Sequence, residues 1–82
     1  MNLPLENLFR IFPNPASSVL TLEWKGGERS QLEIIGTQGN VVLSKTIDDL
    51  LTRLDIGHLP PGIYILRIQS GTLRGHKTFI KQ

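Results

Sequence analysis

Cysteine is absent from the 82 residues. Disulfides, thiolate metal ligands and a thiol nucleophile are excluded with it. Alanine occurs once, at Ala16. It is the strongest helix former, so a helical bundle is not expected. No apolar run approaches the ~20 residues of a membrane-spanning helix. The opening Met1-Asn2-Leu3-Pro4-Leu5-Glu6 has no basic start and no apolar core segment, so no secretory signal peptide is read there. Charge is sparse as well. Nine Lys and Arg against seven Asp and Glu leave a net +2, a weak field that implies neither nucleic acid nor an anionic membrane. Only five aromatic residues are present, too few to interleave with cations along a nucleic-acid strand.

What is abundant is β-branched. Ile, Val and Thr total 18, punctuated by 8 Gly and 5 Pro, which predicts one all-β domain of short strands. Alternation of period 2 marks them. Leu20, Leu22 and Trp24 share a face within 18–24, as do Leu32 and Ile34 within 31–35. A return strand runs over 41–47, and Leu54 and Ile56 pair within 50–56. Tyr64, Leu66 and Ile68 share a face within 63–68, where Ile63 and Ile65 lie opposite and argue for a central strand. Residues 8–12 and 73–81 supply the first and last strands. Gly36-Thr37-Gln38-Gly39 suits a hairpin loop in which Gly39 takes positive φ. About seven strands, with turns roughly every 8–12 residues, fit an immunoglobulin-like antiparallel β-sandwich. Its expected core is Leu20, Leu22, Trp24, Leu32, Ile34, Leu54, Tyr64, Leu66 and Ile68.

No constellation of catalytic or ligand-binding residues stands out. Ser17, His58 and Asp55 lack any nucleophile motif. Asp48, Asp49 and Asp55 flank the apolar pair Leu50-Leu51 instead of lining a glycine-containing oxygen loop, so no calcium site is expected. Gly26-Gly27 precedes no helix and is no phosphate loop. Arg53, Arg67, Arg74 and Lys77 could form a basic face, but without aromatics it is read as solvated surface. No enzyme activity, metal or cofactor is expected. An exposed Trp24 would favour a carbohydrate-binding or adhesive module, although its phase with Leu20 and Leu22 places it inside.

Four stretches together resemble a known family. Phe12-Pro13-Asn14-Pro15-Ala16 resembles the opening motif of the type A C-terminal sorting domains of the type IX (Por) secretion system. Gln38-Gly39-Asn40-Val41-Val42 is similar to that family's central hairpin. Leu59-Pro60-Pro61-Gly62-Ile63-Tyr64 is similar to its L-x-x-G-x-Y stretch. The close, Lys77-Thr78-Phe79-Ile80-Lys81-Gln82, resembles its basic–apolar–basic terminus. The resemblance implies a signal that directs a cargo protein through the outer-membrane translocon, with a shuttle protein and in some members a sortase as partners. Localisation would be the periplasm in transit, then the cell surface or medium. Residues 1–8 would be a linker remnant and 9–82 the domain. The stretch before Phe9 has no small-residue site, so no sortase cleavage point is placed. Lys77, Phe79, Ile80 and Lys81 match the terminal motif and are the expected translocon-recognition residues. They are read as an exposed last strand whose unpaired edge accepts a partner strand. Pro13, Asn14, Pro15, Ala16, Gly39, Leu59, Gly62 and Tyr64 are the remaining motif positions. The Pro13-Asn14-Pro15 corner is expected to shape the fold, because neither proline can donate to a ladder.

Overall fold

Seven strands pack as two antiparallel sheets in a computed structural model that describes residues 5–82. The strands are β1 (Phe9–Phe12), β2 (Val19–Trp24), β3 (Ser30–Ile35), β4 (Val41–Ile47), β5 (Leu51–Asp55), β6 (Gly62–Ser70) and β7 (Leu73–Lys81). One sheet has the order β1-β2-β5 and the other β4-β3-β6-β7. This is the sandwich that the alternation predicts, and all nine expected core residues are buried between the sheets. The core also takes in Leu5, Phe9, Ala16, Ile47, Ile56, Leu59 and Phe79. β6 is central, as expected, but it is covered on one face only. Tyr64, Leu66 and Ile68 point inward, while Ile63 and Ile65 are exposed on the outer face.

Residues 5–8, assigned by sequence to a linker, form a 3₁₀ turn with Leu5 buried. The turn packs on β7 at Gly75, where a β-carbon would sit 3.0 Å from Leu5 Cβ and 3.2 Å from the Glu6 amide. A glycine inside a strand often marks such a close approach. The packed domain therefore includes Leu5.

Trp24 is 3% exposed, so it offers no stacking platform to a sugar. Its indole N–H donates to the Glu28 carbonyl at 3.0 Å, and its ring covers Gly26. A β-carbon at Gly26 would lie 2.0 Å from the ring. Gly26→Ala should therefore displace the indole and cost about 1–3 kcal/mol, the usual range for overpacking. Tryptophan fluorescence should shift to the red, and an unshifted spectrum with unchanged melting would contradict this packing.

The two long sides of the sandwich differ. On the β4/β5 side both strands are free edges, and Lys45 lies opposite Leu32 on the inner face yet remains exposed. An inward-directed lysine on an edge strand opposes edge-to-edge association. On the β1/β7 side the edges are bridged, and that bridging shapes the terminal strand.

Candidate functional site

The terminal strand does not have the open edge that sequence alone suggests. Gly75 is covered by the 3₁₀ turn, and Lys77 Nζ donates to the Phe9 carbonyl at 2.7 Å. The same ammonium lies 5.0 Å from the centroid of the Phe9 ring, a cation–π distance. Further along, the Pro13-Asn14-Pro15 corner delivers Asn14 to β7. The Ile80 N–H donates to Asn14 Oδ1 at 2.9 Å, and Asn14 Nδ2 donates to the Thr78 carbonyl at 3.5 Å. The side-chain amide thus occupies the place of a neighbouring strand's peptide group. Ala16 then pairs in parallel with Lys81. Its N–H donates to the Ile80 carbonyl, and its carbonyl accepts from the Gln82 N–H, both at 2.8 Å. Ala16 is fully buried, and the single alanine of the chain sits where this strap meets the core.

The peptide bonds before Pro13 and Pro15 are both cis. The corner shapes the fold through Asn14 and Ala16, which clamp the end of β7. Asn14→Ala removes both amide bonds at an exposed site and should cost about 1 kcal/mol. The urea midpoint should fall with an unchanged slope. An unchanged midpoint would mean that the Ala16 bonds hold the strap alone.

The four residues assigned to recognition divide by face. Phe79 is fully buried and stacks on Tyr64, with ring centroids 5.6 Å apart and planes at 20°. Lys77 is half-buried and directed to Phe9. Lys81, read from sequence as lying at an exposed end, is 7% exposed, with Nζ donating to the Gln82 carbonyl at 2.6 Å. Residues two apart in a strand share a face, so Lys77, Phe79 and Lys81 all point inward. Lys77 directs its ammonium across the seam to the Phe9 carbonyl, whereas Lys81 bonds the main-chain oxygen of the adjacent Gln82. Ile80 alone of the four faces outward, 46% exposed.

The other motif positions are structural in the same sense. Gly39 has φ of 83° and closes the β3–β4 hairpin by donating to the Gly36 carbonyl. Leu59 is buried, and its N–H donates to the Ile56 carbonyl. Tyr64 Oη donates to the Pro60 carbonyl across the loop that ends at Gly62. Tyr64→Phe should lower stability by about 1 kcal/mol, the value of one net hydrogen bond, as read by thermal melting. A melting temperature equal to wild type would show that this bond adds nothing to holding the loop.

His58 and His76 are exposed. Asp55 Oδ1 accepts from the Gly57 N–H. Among the described residues no three His, Cys, Asp or Glu come together as a metal site. No helix of the described residues is long and apolar enough to cross a membrane. The basic residues do not form one face. Arg53 lies on the outer face of the three-stranded sheet, Arg67 and Arg74 on that of the four-stranded sheet, and Lys77 points inward.

Among solved structures the chain is similar to a DUF3244 family protein from Bacteroides vulgatus ATCC 8482 with an immunoglobulin-like β-sandwich fold. The TM-score is 0.70 at 24% identity, over 92% of this chain and 84% of that one. That likeness shows the fold. No curated protein matches the chain in sequence. The family model for the secretion system C-terminal sorting domain matches residues 10–82, from β1 through the strap to the clamped terminal strand. The chain belongs to the C-terminal sorting domains of the type IX secretion system.

Proposed function

We propose that the outer-membrane translocon and its shuttle protein read this domain as a folded address, and that β7 is the element read. As a sorting domain it directs export toward the cell surface or medium. Transit through the periplasm, and a sortase acting ahead of the domain, are finer parts of the same reading. The supporting observation is the clamp on β7. A terminal strand held by Asn14 and Ala16 from the other end of the chain, with Lys77 and Lys81 bonded at the seam, presents its outer face in a fixed geometry. Fixed geometry lowers the ordering cost of binding. Within the expected recognition set, Ile80 makes the contact. Phe79, Lys77 and Lys81 hold the strand in place for it. Addition of a partner strand to this edge is disfavoured, because the strap already occupies it.

The test fuses the full chain to a reporter that carries an inner-membrane export signal, in a type IX–competent host. Delivery of the reporter to the surface or medium is expected. Retention in the periplasm, as for the bare reporter, would overturn the reading.

A further inference from the structure

The outer face of the four-stranded sheet is divided in two. Register places Val41, Ile35, Ile65 and Thr78 in one row across β4, β3, β6 and β7, with Ile63 and Ile80 as the adjacent pair. Val41 is 48% exposed, Ile63 56%, Ile65 38% and Ile80 46%. None of these positions carries charge. The other half of the face is polar and partly paired with itself. Arg67 pairs with Glu33. Gln31 Nε2 donates to Ser44 Oγ at 2.9 Å, and Thr46 Oγ1 donates to Gln31 Oε1 at 3.2 Å. The outer face of the three-stranded sheet is mixed instead: the exposed Phe12 and Leu51 lie among Arg10, Glu23, Arg53 and Asp55, with Arg10 bonded to Glu23 and placed over the Phe12 ring.

We infer that the row Val41–Ile35–Ile65, together with Ile63 and Ile80, is a docking surface for an apolar, uncharged surface of the export machinery. This rests on the sorting reading and extends the contact at Ile80 across four strands. Three observations select that occupant. First, cargo precedes a C-terminal sorting domain, and the first described residues pack at Gly75, which is paired with Ile68. The patch lies toward the opposite end of β6 and β7, about 10 Å away at Ile65 and about 16 Å at Ile63 by strand rise, so the described start of the chain does not cover it. Second, the patch is continuous with the exposed face of the terminal strand through the Ile63–Ile80 pair. Third, five partly exposed aliphatic side chains offer roughly 400 Å², the size of a functional patch on a monomer. That is well below the ~800 Å² per partner of a stable complex, so the patch suits a transient contact that releases the domain and not a permanent dimer.

The test is Ile63→Thr combined with Ile65→Thr in the full-chain reporter fusion. Threonine keeps β-branching and leaves the inner face untouched. Val41→Thr, on an edge strand, repeats the test where the fold is least involved. Export reduced at least fivefold by the double variant, and at least twofold by Val41→Thr, with melting within a few degrees of wild type, is the expected result. Wild-type export by either variant would overturn the inference and leave the sorting function intact. Failure of the unsubstituted fusion to be exported would instead overturn the sorting reading itself. A dimer of the isolated domain in sedimentation that the double variant dissolves would assign the patch to a second copy and overturn the proposed occupant. Flotation of the domain with phosphatidylethanolamine–phosphatidylglycerol vesicles, lost in the double variant, would do so in favour of a membrane.

Discussion

Phe79→Ala should cost about 3–5 kcal/mol, the range for truncating a fully buried aromatic side chain. Phe79 is fully buried and is the stacking partner of Tyr64. It lies in the strand at the edge of the four-stranded sheet, two residues from Lys77 on one side and Lys81 on the other. Domains of ordinary size are stable by only about 5–15 kcal/mol, and one of this length lies toward the low end. The alanine variant should therefore be largely unfolded at growth temperature, with its urea transition shifted far toward zero denaturant. Phe79→Leu keeps most of the volume and should retain a cooperative transition. Equal transitions for wild type and Phe79→Ala would contradict the buried position. Export of a fused reporter should fall with the folded fraction, because the terminal strand is then no longer held.

Deleting residues 77–82 should abolish both folding and export. The deletion removes Phe79, the Lys77 bond to Phe9, and the Ile80 and Gln82 groups that anchor Asn14 and Ala16. It also leaves the β7-facing edge of β6 without a partner from Gly62 to Leu66. Circular dichroism should lose its cooperative thermal transition. A truncated chain that melts like the full one would show that the strap and the last half of β7 are dispensable to the fold. Lys81→Glu is a poor probe of charge recognition for the same reason: the position is buried, so a carboxylate there pays desolvation and loses the carbonyl contact.

Much of this architecture was legible in the chain. Strict alternation at Leu20, Leu22 and Trp24, and at Tyr64, Leu66 and Ile68, is a local signal of period 2, and the structure buries each of these side chains. Gly39 at positive φ follows from a loop that only glycine closes without strain. The seam was not legible. Asn14 is 66 residues from Ile80 in sequence, and an amide acting as a strand's peptide group leaves no periodic trace. Lys77, Phe79 and Lys81 were read as part of an exposed recognition strand because they match the family's terminal motif in the last strand. The alternation already placed all three on one face, and the apolar Phe79 between them marked that face as inward. The burial of Leu5 had a local sign as well, a glycine at position 75 in the middle of a strand.

The bipartite outer face shows why Ile80 carries the weight of the functional reading. It is the one residue of the four expected recognition positions that faces outward, and its neighbours on β6, Ile63 and Ile65, are apolar too. Ile80→Glu changes only an exposed cross-strand pair and should cost no more than about 1 kcal/mol. The decisive measurement is the fraction of full-chain reporter reaching the cell surface with Ile80→Glu, taken with the melting temperature of the isolated variant domain. At least a tenfold loss of surface delivery with a folded domain is the expected result. Surface delivery at the wild-type level would contradict recognition through the outer face of the terminal strand.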